Sequence, residues 1–397
     1  MKYSNMQETK TSTSTEYHTP MTREVKSIRE LQEMIALGQP LVNLAFQNMD
    51  LTSLTDTLIN SGIRESLFLG CLLENRAACR LQRENYIFPI MDLPYPIYPN
   101  RLYSAEDLYE NYVRTDPDSF YDTTDQKIYR HFIHTGKYTT DIKESLARSL
   151  HDQSITSSLE DFIIQYDPLS LIAVMGGHQM SRRSSQYRQI VFLSKYLTEK
   201  GKLMLSGGGP GAMEATHVGA WLAGQTECTV LEVLKILGTA PDFEHENWLN
   251  TAFYILENFE GGDMPSLGIP TWLYGHEPPT PFATHIAKYF TNSIREEGLL
   301  ALAKGGVIFT PGSAGTSQEV FQEVTQNHYL TLGIASPMIF FDSHFWTEEW
   351  PVYPVLEKLH KENKLQHLDL GIYDQVGHIV AHLNRFYDRF KNENSTV

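Results

Sequence analysis

The chain has 397 residues, 41% of them apolar and 11% aromatic, which supports a substantial core and excludes a largely disordered protein. Its 48 acidic and 32 basic residues give a net charge of −16, which excludes a broad basic face for nucleic acid. A small phosphate held by local N–H groups remains compatible with that charge. No run has the apolar length of a membrane span, and the N-terminus lacks the layout of a signal peptide. Cys71, Cys79 and Cys228 have neither CxxC nor Cys/His metal spacing, so reduced thiols in a cytoplasmic protein, with no metal and no cofactor, are expected.

Residues 1–24 are polar, rich in Ser, Thr and Glu and without periodicity, and are expected to form a disordered tail. Residues 25–150 read as an accessory α/β region. Short strands are expected at Val42–Phe46, Ser66–Leu73 and Asn85–Ile90, and the run Pro94–Pro99 is extended. Ser104 and Asp107 make a capping box for a helix carrying Leu108 and Tyr112. No internal repeat of fixed period is apparent.

Residues 151–397 alternate apolar runs with amphipathic stretches, the pattern of a Rossmann-like parallel sheet flanked by helices, and the fold class is α/β. Strands are expected at Leu169–Met175, Lys202–Leu205, Ile269–Tyr274, Gly306–Thr310 and Pro337–Phe341. Helices are expected from Ser185 to Lys200, after Pro210 to Gly224, near Val230–Leu237 and near Glu246–Leu256. Thr280-Pro281 reads as the start of a helix reaching Ala303, with His285, Lys288, Asn292 and Arg295 on one polar stripe. Closing helices follow from Trp346 and from about Asp374.

Three glycine-bearing turns follow strands. They are Gly176-Gly177-His178, Ser206 to Ala215 with Gly207, Gly208, Gly209 and Gly211, and Pro311 to Glu319 with Gly312 and Gly315. In the last, the glycines permit close backbone approach, Thr316 offers a hydroxyl, and the new helix presents amides that suit an anion. Gly207, Gly209 and Ala212 also fit the dinucleotide fingerprint, but Glu227 does not end a recognisable strand as the ribose-binding acid should.

Pro311-Gly312-Ser313-Ala314-Gly315-Thr316-Ser317-Gln318-Glu319 resembles the signature of the Lonely Guy (LOG) family of nucleoside-monophosphate phosphoribohydrolases. The Ser206–Ala215 turn and Gly176-Gly177-His178 are similar to those of the related bacterial nucleotide 5'-monophosphate nucleosidases. The resemblance implies hydrolysis of an N-glycosidic bond, giving a free base and ribose 5-phosphate. It gives Glu319 the stabilisation of an oxocarbenium-like transition state and Arg295 a contact to substrate. His178, Gly207, Gly208, Gly209, Gly211, Met213, Glu214 and the turn Pro311, Gly312, Ser313, Ala314, Gly315 and Thr316 would bind the nucleotide. Ser313 stands where these families usually carry a third glycine, and Glu296 where the LOG enzymes follow the arginine with lysine. Those two departures favour the alternative of a non-catalytic nucleotide-binding or sensor protein. The expected partner is a nucleoside monophosphate or related small nucleotide, with a homo-oligomer, a dimer, and neither nucleic acid nor membrane.

Overall fold

A computed structural model describes residues 22–394, which divide into two compact units, up to Ile90 and from Met91. The smaller unit runs β1 (Arg23–Val25), α1 (Ile28–Ala36), β2 (Leu44–Gln47), α2 (Thr55–Asn60), β3 (Leu67–Leu69), α3 (Asn75–Leu81), β4 (Tyr86–Phe88). Its sheet is parallel in the order β1-β2-β3-β4. Arg23 pairs with Leu44, Ala45 with Leu67 and Leu67 with Tyr86, so the chain returns to the sheet roughly every twenty residues, a stacked arrangement that the sequence did not reveal. Phe46 and Phe68 lie one above the other in its core, ring centroids 4.9 Å apart and both without exposure. Asn85 locks adjacent turns: its Oδ1 accepts from Ser66 N, and its Nδ2 donates to Ile63 O and Leu81 O. Of the tail expected over 1–24, the part before residue 22 lies outside the described residues, while Arg23 and Glu24 already belong to β1.

The larger unit opens with α4 (Ala105–Leu108), α5 (Thr124–His134) and α6 (Ile142–Ile163). It continues with β5 (Leu171–Met175), α7 (Ser185–Glu199), β6 (Leu203–Ser206), α8 (Ala212–Trp221), α9 (Glu227–Leu237), α10 (Trp248–Asn258) and β7 (Ser266–Gly268). Then come β8 (His285–Ile286), α11 (Asn292–Leu302), β9 (Gly306–Phe309), α12 (Ala314–Tyr329), β10 (Pro337–Phe341), α13 (Val352–Lys361), β11 (Asp369–Tyr373) and α14 (Val376–Asn394). The parallel sheet has the order β11-β10-β9-β5-β6-β7-β8. Its central strands β5, β6, β9 and β10 are buried throughout, as continuous apolar runs covered by helices should be.

The boundary between units falls at residue 90, not near 150. Within the larger unit, Asp125 of α5 accepts from Trp272 Nε1 and Lys288 Nζ, and Asp152 of α6 accepts from the backbone of Phe290 and Thr291. These bonds fix α5 and α6 to the segment 271–291.

That segment also corrects the expected helix from Thr280. Ile286 exchanges backbone hydrogen bonds with Tyr103, and Ala287 N donates to Gly268 O, so its backbone is extended beside β7 and a helix starts only at Asn292. The polar stripe dissolves with it: His285 stacks on Phe162 and Lys288 is fully buried on Asp125. The strand expected at Ile269–Tyr274 lies earlier, at Ser266–Gly268, and Trp272–Tyr274 is a 3-10 turn. No described helix is long and apolar enough to cross a membrane.

Candidate functional site

Strands β5 and β9 are neighbours, but the chain leaves them toward opposite sides of the sheet. A parallel sheet opens a crevice beyond its strand ends at such a point. The loops there are in contact: Gly177 N donates to Pro311 O at 3.0 Å, and Ala212 N, at the start of α8, donates to Gly177 O at 3.2 Å. Backbone meets backbone so closely that side chains are excluded. Gly211, at φ +68°, would drive a Cβ into the carbonyls of Gly177 and His178. A Cβ on Gly312 would strike Thr316 Oγ1, and one on Gly176 would strike Thr310 Oγ1.

The turn after β9 forms one wall. Thr316 is buried, Pro311 and Gly312 are half-buried, and Ser313, Ala314 and Gly315 are exposed. Ser313 is the N-cap of α12 but makes no side-chain capping bond, so the first-turn amides lack the acceptor a serine commonly supplies there. The turn after β6 forms the other wall. Met213 lies over Gly207 and Gly209, whose added Cβ atoms would come within 2.7 Å and 2.8 Å of its Sδ and Cε. Gly208, at φ +70°, approaches Gly268 and Pro270.

Arg295, only 9% exposed, reaches from α11 into this space. Its Nε donates to Ile269 O at 3.0 Å, and its Nη2 would lie 2.6 Å from a Cβ on Gly207. Its Nη1 is 3.9 Å from Glu319 Oε1 and 3.6 Å from Glu296 Oε1. Burial pushes the Glu319 carboxyl up to about 7, with Arg295 opposing the shift and Glu296 adding to it. Glu296 also accepts from Gln318 Nε2 at 2.6 Å, tying α11 to α12. The positions of Arg295, Glu319 and the turn Pro311–Thr316 are thus adjacent. A cavity of about 440 Å³ borders the same turn, lined among others by Gly177, His178, Ser181, Gly312, Ser313 and Phe345.

His178 Nδ1 lies 3.2 Å from Glu277 Oε1, and its ring meets Phe243 edge-on at 5.7 Å. Glu277 thereby joins the residues around the cleft. Its Oε2 would stand 3.6 Å from a Cβ on Gly209.

Glu214 does not face the cleft. Its side chain has no exposure, and both oxygens are held by Arg182, with Tyr187 OH donating to Oε2 at 2.8 Å. It sits one turn inside α8, on the side that packs against α7 and the following helices. Arg182 carried no sequence signal, since it is one of several polar residues in a loop. His217 is similarly structural: its ring joins Ser206 Oγ at 2.8 Å to Ser266 Oγ at 2.9 Å, and burial pulls it down to about 3, so it is neutral.

No family model matches the chain, and no curated protein matches it. Among solved structures, it is similar to the molybdenum cofactor binding protein from the phototrophic bacterium Rippkaea orientalis. The identity is 14% over 55% of this chain and 96% of that one, with a TM-score of 0.35. It is also similar to the molybdenum cofactor carrier protein MCP from Chlamydomonas reinhardtii. There the identity is 15% over 55% of this chain and 98% of that one, with a TM-score of 0.34. A likeness at this level gives no ligand for this chain. It does correct the family expected from the turns: these structures are named as molybdenum cofactor proteins, not as LOG-family enzymes or nucleosidases. The expected phosphoribohydrolase activity is withdrawn with that family.

Proposed function

We propose that the larger unit is a binding protein for a small phosphate-bearing molecule, seated where the loops after β5, β6 and β9 meet. The observation that carries this reading is the side-chain-free crossing of Gly177, Gly211 and Gly312 beside the uncapped start of α12. Such a surface offers backbone amides and a helix N-terminus to an anion at close range. Arg295 adds a buried cation on the facing wall. Glu319, with its carboxyl near 7, is in part uncharged at neutral pH, which lowers its repulsion of that anion. The role proposed is holding the ligand; no bond is broken in it.

Calorimetric titration of the whole chain with inorganic phosphate, adenosine monophosphate and molybdenum cofactor tests the reading. Saturable binding of at least one, abolished in a folded Gly312→Asp variant, is the expected result. Unchanged affinity in that variant would locate the ligand elsewhere. Absence of binding to all three, at millimolar concentration and low salt, would overturn the proposal.

A further inference from the structure

A second cavity, of about 660 Å³, lies between the start of α7 and the end of α9. Its walls carry Arg182, Arg183, Arg188 and Lys235, with Ser184, Ser185 and the apolar Leu231 and Leu234, and no carboxylate. Arg182 is consumed by its internal partners. The other three cations are exposed, and none makes an ion pair among the described residues. Arg183 gives its Nε to Gly238 O, which orients its guanidinium along the cavity wall and leaves the Nη groups without such a bond. Arg188 lies over Phe192 at 5.7 Å and makes no side-chain hydrogen bond among the described residues.

In a chain with 48 acidic residues and 32 basic ones, three neighbouring cations without a carboxylate are a departure that needs a cause. Compensation of helix dipoles accounts for part of it. Lys235 is in the last turn of α9 and Arg183 meets that helix's end. It does not account for Arg188, which stands in the first turns of α7, where a cation opposes the dipole. A negative guest removes that conflict, since the helix start and all three cations then face the same charge.

We infer that this cavity is a second anion site, for a small molecule with two or more phosphate groups, distinct from the cleft at Gly312. One phosphate suits the fork of Arg188 and the start of α7, and another suits Arg183 with Lys235. The spread of three cations around a cavity this wide is poorly used by a single phosphate.

Inorganic tripolyphosphate is the probe, titrated into the whole chain at low salt. Wild-type protein binds it, and affinity falls steeply as salt is raised. In Arg188→Gln/Lys235→Gln, which leaves shorter but still polar side chains and removes both charges at exposed positions, affinity falls by about tenfold or more. The melting profile of that variant stays that of wild type, and Arg188→Ala/Lys235→Ala repeats the loss. Gly312→Asp leaves tripolyphosphate binding in place. The inference is overturned if wild type does not bind, if the charge-removed variants bind as wild type does, or if Gly312→Asp alone removes binding. The last outcome would put the anion in the cleft. Failure of the cleft proposal would instead appear in the Gly312→Asp titrations with phosphate and adenosine monophosphate.

Discussion

Arg182 and Glu214 form a two-pronged ion pair, Nε to Oε2 at 2.8 Å and Nη2 to Oε1 at 2.5 Å, with essentially no exposure of either side chain. Arg182 also donates through Nη1 to Ala240 O, Trp248 O and Thr251 Oγ1. One residue thus fastens the α9–α10 hairpin to α8 and to the loop after β5. Removing either partner leaves the other buried and charged. Arg182→Ala and Glu214→Ala are each expected to lose about 3–5 kcal/mol in urea unfolding. The apolar replacement Arg182→Met/Glu214→Leu should lose much less than either. Single variants as stable as wild type would show that the pair is not integral to the fold.

Glu319 sets a pH dependence of opposite sign to an ordinary carboxylate. Its folded value of about 7 lies above the ordinary 4.5, so between those values the native state holds a proton that the unfolded chain has released. Unfolding free energy therefore decreases as pH rises through this window. Glu319→Gln removes the slope, and the variant should exceed wild type at pH 8 by up to about 3 kcal/mol and match it near pH 4. Thermal melts of both proteins across the range measure this. Sulfate, whose charge is constant there, should bind wild type more weakly above pH 7 and show little pH dependence in the variant.

His217 contributes in the other direction. Buried neutral between two serines, with its value lowered from 6.5 to about 3, it resists the proton that the unfolded chain accepts. Stability from this group is complete above 6.5 and is lost as pH falls toward 3. His217→Gln should flatten the acid limb of the stability profile, even if it is less stable at neutral pH. An acid limb as steep as that of wild type would remove His217 as its source.

The glycines of the cleft are not equivalent. At Gly211 an alanine would need a positive φ and would meet two carbonyls, so Gly211→Ala should lower stability and remove ligand binding together. At Gly315 nothing lies within 4 Å of an added Cβ and φ is ordinary, so Gly315→Ala should change the melting temperature little. Equal effects at the two positions would contradict the crossing of loops described here.

The strands β5, β6, β9 and β10 were legible because each is a continuous apolar run, and so were the turns that follow the first three. The segment 280–291 was misread for a definite reason. Thr280-Pro281 followed by Phe282, Ile286 and Phe290 has helical spacing, but the backbone partners that decide its conformation are Tyr103, far away in sequence, and Gly268 of the neighbouring strand. Lys288 looked like a surface cation because its partner, Asp125, is 163 residues away. Glu214 looked like a ligand residue because it is one turn from a glycine loop, and only the fold brings Arg182 to it. Strand β11 is only partly buried apart from Gly371, and that glycine together with Asp369 breaks up the apolar run that announces the central strands. Local chemistry was readable; long-range pairing was not.

The α9–α10 hairpin lies within a single connection between adjacent parallel strands, β6 and β7, and the sheet's hydrogen bonding runs past it without using it. It nevertheless supplies Phe243 beside His178, and Leu231, Leu234 and Lys235 to the basic cavity. The strand ladder is therefore separable from the hairpin. Exchanging the hairpin for another of similar span would change the wall of the basic cavity and the neighbour of His178 while the strand ladder beneath stays as it is, provided an anchor equivalent to Arg182 is retained.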